Sequence, residues 1–141
     1  MKKYVASLHM DDIVFFMGYC NYVNVMCNIA DVLVSSSIQE GMPINILEGM
    51  ASGLPVVCAK IRGQVDVVQD GINGFMYSCH NAAEMCTKII HLYQHDELRE
   101  KMSEQNLSDV KKYSLDRALQ NMQQIYENMG VKSLVKNEMS E

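Results

Sequence analysis

The sequence predicts an α/β domain: a parallel sheet of about four strands, helices on its faces and a helical C-terminus. Three observations carry this. Apolar runs of strand length occur at residues 13–17, 31–34, 55–59 and 75–77. Stretches with helical spacing separate the first three runs. From Asn81 onward, capping residues punctuate a remainder that is helical throughout.

In chain order, residues 4–10 read as the end of a helix. Asp11-Asp12 then leads into Ile13-Val14-Phe15-Phe16-Met17, a continuous apolar run stopped by Gly18, as in a strand buried on both faces. Apolar residues at 22, 23, 25, 26, 29 and 30 have helical spacing. Asp31-Val32-Leu33-Val34 is a second strand that ends in Ser35-Ser36-Ser37. Pro43 suits the first position of the next helix, where no amide donor is needed. Ile44, Leu47 and Ala51 share a face of that helix, and Gly53 is placed to end it in the left-handed conformation. Pro55-Val56-Val57-Cys58-Ala59 forms the third strand, and residues 65–69 a helical turn. Asp70-Gly71-Ile72-Asn73-Gly74 is a turn, and Phe75-Met76-Tyr77 the fourth strand. Asn81 caps a helix to about His95, and Asp96 caps the next. Ser114 caps a third helix that ends before Gly130. Its stripe of Leu115, Leu119, Met122, Ile125, Tyr126 and Met129 reads most simply as core packing. The organisation expected is one domain over 1–141, with its core at 11–95 and C-terminal helices at 96–130.

Composition narrows the function classes. A net charge of −5 argues against nucleic acid as a partner, since phosphate binding needs a clustered basic face. No apolar run has the length of a membrane span, and the first residues do not read as a secretory signal, so a cytoplasmic location is expected. The five cysteines form no CxxC pair and read as reduced, buried thiols. His91 and His95 stand at i, i+4 without a third ligand nearby, so no metal site is expected. Cys79-His80 lacks an orienting acid, and the glycosylation tripeptide Asn106-Leu107-Ser108 carries little weight without secretion.

The stretch SSSIQEGMPINILEGMASGLPVV, residues 35–57, carries the chemistry. It runs from the carboxyl end of a strand into a helix, where ligands of parallel sheets gather. The first turn of the helix presents unpaired amides and the positive end of its dipole, a setting for a phosphate or a polyhydroxyl group. Gly41 leaves room for close approach. Glu40 can accept hydroxyl hydrogen bonds, and Glu48, two turns further on, can accept a pair of them from a ribose. The same carboxylates also read as a dipole partner and a solvated helix face, and the pair alone is weak evidence.

The surrounding run strongly resembles the donor-domain signature of the retaining glycosyltransferases of family four, which have the GT-B fold. Ser37, Glu40, Gly41, Pro43, Glu48, Met50, Ala51, Gly53, Pro55, Val56 and Val57 fall in register with it; Gly49 stands where that pattern usually has alanine. The 14–19 run, Ala30-Asp31-Val32, Gly63, the 70–75 turn, Lys112-Tyr113-Ser114-Leu115 and Ile125-Tyr126 extend the likeness along the chain. The resemblance implies a partial Rossmann-like three-layer domain, the C-terminal half of a GT-B enzyme. It binds a UDP- or GDP-sugar and retains the anomeric configuration, without a cofactor and usually without a metal. Glu40 would be the catalytic carboxylate facing the donor sugar. Gly41, Met42, Pro43 and Ile44 would present amides to sugar and phosphate. Glu48 would take the ribose, and Gly18 and Tyr19 would lie near the base.

Two strands, a Gly-rich turn and an Arg–Lys clamp on the diphosphate normally precede the 14–19 run in that family, and none of them is in this sequence. The acceptor domain, normally N-terminal, is absent as well. The chain therefore reads as a donor-domain fragment, inactive by itself. Its partners would be the nucleotide-sugar and either the missing acceptor domain or a second copy of the chain, with any peripheral membrane association arising only through the missing domain. The alternative is a non-catalytic, nucleotide-sugar-binding or oligomerising remnant. The 13–17 strand would either move beside the 31–34 strand or be covered by a second copy. Lys60 and Arg62 are the nearest basic candidates for a clamp, although a solvated loop suits them better.

Overall fold

A computed structural model describes residues 1–129. The order is helix α1 (Lys2–Ser7), α2 (Val23–Ile29), strand β1 (Leu33–Ser35), α3 (Ile44–Ala51), β2 (Val56–Ala59), β3 (Gly74–Tyr77), α4 (Ala82–Gln94), α5 (Asp96–Asp109), a 3-10 turn (Val110–Tyr113) and α6 (Leu115–Asn128). The sheet is parallel with order β1-β2-β3. Leu33 is paired with Val56, and Val56 in turn with Gly74.

Every residue of β2 is buried, and its alternation builds two cores. Val56 and Cys58 pack with Ile46 and Met50 of α3 and with Val67 and Val68. Val57 and Ala59 pack on the other face with Tyr77, Leu92 of α4 and Met102 of α5. Helix, sheet and helix are thus the three layers expected.

The amino ends of the strands are fixed by buried amides. Asn106 Nδ2 of α5 donates to the carbonyls of Leu54 and Asn73 at 2.8 Å each, which ties α5 to the segments leading into β2 and β3. Asn73 Nδ2 donates to Val67 O and to Asp109 Oδ2, while its Oδ1 accepts from Gln69 N. Gly74 opens β3 because a Cβ there would strike Val56 O and approach Val68 Cγ1 at 3.1 Å.

Several expectations hold. Gly53 is left-handed, at φ +76°. Asn81 accepts from Glu84 N and Ser114 from Arg117 N, as N-caps do. Glu84 reaches back to Ser78 N at 2.8 Å, and hydrogen bonds from Ser78 hold its carboxyl below the ordinary glutamate range, with the Lys88 charge adding to the effect.

Others are corrected. The sheet has three strands among the described residues, not four. Residues 13–17 form no strand and pair with no strand among the described residues, β1 included. Ile13 and Val14 instead close turn hydrogen bonds onto Met10 O after α1, and Ile13, Phe15, Phe16 and Met17 are exposed. A continuous apolar run signals burial without naming the partner, and among the described residues no strand pairs with it to complete a ladder. Pro43 is the N-cap of α3 and not its first helical residue, and Asp96 is the first residue of α5, with His95 before it. The buried face of α3 is Ile46, Gly49 and Met50; Ile44 and Ala51 are exposed. Gly49 faces Leu33 so closely that a Cβ would lie 2.7 Å from Cδ2, so the departure from alanine fits its neighbour. The α6 stripe is exposed along its whole length and packs into no core. Only Cys27 and Cys58 are buried among the cysteines; Cys20 and Cys79 are half-buried and Cys86 is exposed. Gly130 lies outside the described residues.

Gly74→Ala is expected to lower unfolding stability by about 1–3 kcal/mol through overpacking against backbone, measured by urea denaturation. The depressed Glu84 carboxyl stabilises the fold above the unfolded-state glutamate range, and that contribution is lost as pH falls through its lower folded value. Wild type should therefore exceed Glu84→Gln in urea midpoint at neutral pH, and the gap should close on acidification.

Candidate functional site

At the carboxyl end of the sheet, β1 leads through residues 36–42 into α3. Ser35 is the anchor of this loop. Its side chain is buried and accepts from Gln64 Nε2 at 2.8 Å, while its carbonyl accepts from Tyr77 Oη at 3.1 Å. Burial, with a smaller effect from Cys58 and Cys79, raises the Tyr77 phenol, which keeps it protonated as that donor. The loop is held again further along. Gly63, at φ +83°, lies against the carbonyls of Glu40 and Gly41, and a Cβ there would come within 2.7 and 2.8 Å of them. Glycine is required on both counts.

Between these holds the loop is rich in free donors. The N–H groups from Ser36 to Met42 donate to no acceptor among the described residues. Ser37 Oγ donates to Glu40 Oε1 at 2.8 Å, which fixes the half-buried carboxylate beside those amides. A Cβ on Gly41 would meet nothing within 4 Å, so the space above it is open. Pro43 is buried, whereas Met42, Ile44 and Glu48 are exposed. Ile44 and Glu48 lie one turn apart on α3.

The structure thus joins Glu40, Gly41, Met42, Pro43, Ile44 and Glu48 in one loop-to-helix element. It does not join Gly18 and Tyr19 to them: no hydrogen bond links the two segments among the described residues, Gly18 is left-handed, and Tyr19 is 94% exposed. A cavity of about 170 Å³ opens at this end of the sheet, lined by Ser36, Ile38, Ala59, Tyr77, Cys79 and His80. Neither Glu40 nor Glu48 lines that cavity; Glu48 stands on the open surface of α3. Lys60 and Arg62 are exposed on the loop after β2.

Burial, with the Asp70 charge, pushes the Cys58 thiol up to about 12, so it stays protonated. The rings of His91 and His95 lie 4.4 Å apart, tilted by 43°, and His95 Nδ1 lies 2.7 Å from His91 O. No group of three potential ligands occurs among the described residues. Sequence reasoning missed Gln64 and Tyr77; neither periodicity nor motif marks them, and only the adjacency of Gln64 to Gly63 hints at the loop.

The model of the family described as "Glycosyl transferases group 1" matches residues 1–109. The chain belongs to the group 1 glycosyl transferases. Within the family, the putative glycosyltransferase EpsD of Bacillus subtilis (strain 168) is 34% identical over 125 residues, covering 89% of this chain and 32% of that protein. A glycosyltransferase from Rickettsia africae ESF-5 superposes with a TM-score of 0.86 at 26% identity, over 94% of this chain and 36% of that one. A point mutant of S. aureus TarM, crystallised in a complex that includes UDP, gives 0.81 at 27% identity over 89% of this chain and 26% of that one. This group 1 chain therefore has the fold of a GT-B C-terminal domain and spans about a third or less of the length of these relatives.

Gly63→Ala is expected to displace the Glu40–Gly41 backbone and cost about 1–3 kcal/mol, whereas Gly41→Ala should change stability by less than about 0.5 kcal/mol. Urea denaturation of the two variants checks the contrast.

Proposed function

We propose that residues 36–48 bind a nucleoside-diphosphate sugar and that this chain is the donor-binding part of a retaining hexosyltransferase. The observation that carries the reading is the row of free amides from Ser36 to Met42 with the Glu40 carboxylate pinned beside it by Ser37. Amides in a fixed loop stabilise charge on a leaving diphosphate without reorganising as the bond breaks. Glu40 is the carboxylate that meets the donor sugar. Gly41 to Ile44 supply N–H groups, Pro43 excepted, and space. Glu48, one turn into α3, takes the ribose hydroxyls, and the Gly18–Tyr19 turn takes the base once the rest of the site is assembled. The complex of TarM with UDP favours a uridine nucleotide over a guanosine one.

Turnover needs an acceptor-binding partner. The relatives are about three times as long or longer, which supports a missing domain as that partner. A second copy is the other reading, favoured by the outer edge of β1, which pairs with no strand among the described residues, and by the exposed 13–17 run.

Calorimetric titration with UDP, UDP-glucose and GDP-mannose tests the proposal. Binding of UDP and UDP-glucose is expected. Glu48→Ala should weaken both about tenfold, and Glu40→Gln should weaken UDP-glucose alone by a similar factor. Absence of heat with all three ligands would leave only a structural role for the domain.

A further inference from the structure

We infer that Gln64 is a positioning residue for the donor loop and acts through Ser35. Gln64 is fully buried, at 0% exposure. Its Nε2 donates to Ser35 Oγ at 2.8 Å, and its Oε1 accepts from nothing among the described residues. An unpaired buried acceptor is a free-energy cost that an apolar side chain of the same volume would avoid. The one hydrogen bond the amide makes among the described residues is to Ser35.

That hold falls where the loop leaves the sheet. The neighbouring Gly63 touches the same loop at the carbonyls of Glu40 and Gly41, where it turns toward α3. Two consecutive residues therefore meet the loop near its two ends, Gln64 by a hydrogen bond and Gly63 by close packing, and Tyr77 adds a second bond at Ser35 from β3. Between the grips, the donor N–H groups have no internal partners to hold them. Their direction is set by the fixed points, and Glu40 takes its place on that backbone through its own bond from Ser37. A site held in this way is preorganised by residues that never touch the ligand. Glu48 stands outside the grip, on α3, so the Gln64 bond should govern the sugar end of the donor more than the ribose end. The effect of Gln64 on ligands rests on the donor-site reading above; its hold on the loop does not.

Gln64→Met keeps the volume and removes the donor, and Ser35→Ala removes the same bond from the other side while changing little bulk. The backbone order parameters of residues 36–42 are to be measured by 15N relaxation in the free chain, alongside calorimetry with UDP and UDP-glucose. In either variant the loop order parameters should fall from about 0.85 toward about 0.6, while those of α3 and α5 hold. UDP-glucose affinity should fall about tenfold and UDP affinity no more than about twofold, the loss of one buried hydrogen bond felt at one end of the ligand. The double variant should be no worse than either single one, because the two side chains share one bond. Loop order unchanged in the variants would overturn the inference. So would a loss spread evenly over the domain, with UDP and UDP-glucose weakened alike. If the wild-type chain binds neither nucleotide, the donor-site reading falls, and the order parameters alone decide the role of Gln64.

Discussion

The structure depends on one constraint: a four-residue strand, β2, with no access to water on any side. Its backbone is paired on both edges, and its side chains alternate between two cores. A short strand can carry that load only if its side chains are small or β-branched, so that helices pack closely on both faces. Val56, Val57, Cys58 and Ala59 satisfy this. The neighbouring elements are then placed by default. α3 has one face to bury and buries it on Val56 and Cys58, and the loop before α3 must emerge at the carboxyl end of the sheet. The position of the candidate site follows from packing before any ligand is considered.

How far this could be read from the chain differs by element. β2 and β3 were legible because their apolar runs are bounded by Pro and Gly, which punctuate strands in a way few other residues do. The helices from Asn81 onward were legible through their caps, which are local chemistry. Residues 13–17 misled because an apolar run reports a need for burial, and the pairing that would satisfy it depends on chain that lies elsewhere in sequence. The α3 face was misread by about a third of a turn, because Ile44 looks apolar and core-like although it projects from the first turn into the open.

The candidate site was legible in its outline and not in its support. Glu40, Gly41 and Glu48 are weak as a spaced set and stand out through the run of residues around them, which resembles a family signature. Gln64 and Tyr77 reach the same loop from 29 and 42 residues away from Ser35. Contacts at such separations leave no trace in a local pattern, and a buried glutamine looks like any polar loop residue until the chain is folded. The apolar surfaces left open, at 13–17, on Tyr19 and Tyr22, and along α6, belong to the same category. They are exposed apolar surfaces, and nothing in the local sequence specifies what would cover them.

The buried amide of Asn106 has a consequence for the tripeptide that it begins. Its Nδ2, the atom that an oligosaccharide would occupy, is committed to Leu54 O and Asn73 O beneath α5. A glycan on that nitrogen and a docked α5 exclude each other. In a host with glycosylation machinery, any sugar found at this position would mark chains intercepted before α5 closed over the sheet, so the extent of modification would serve as a clock for that folding step.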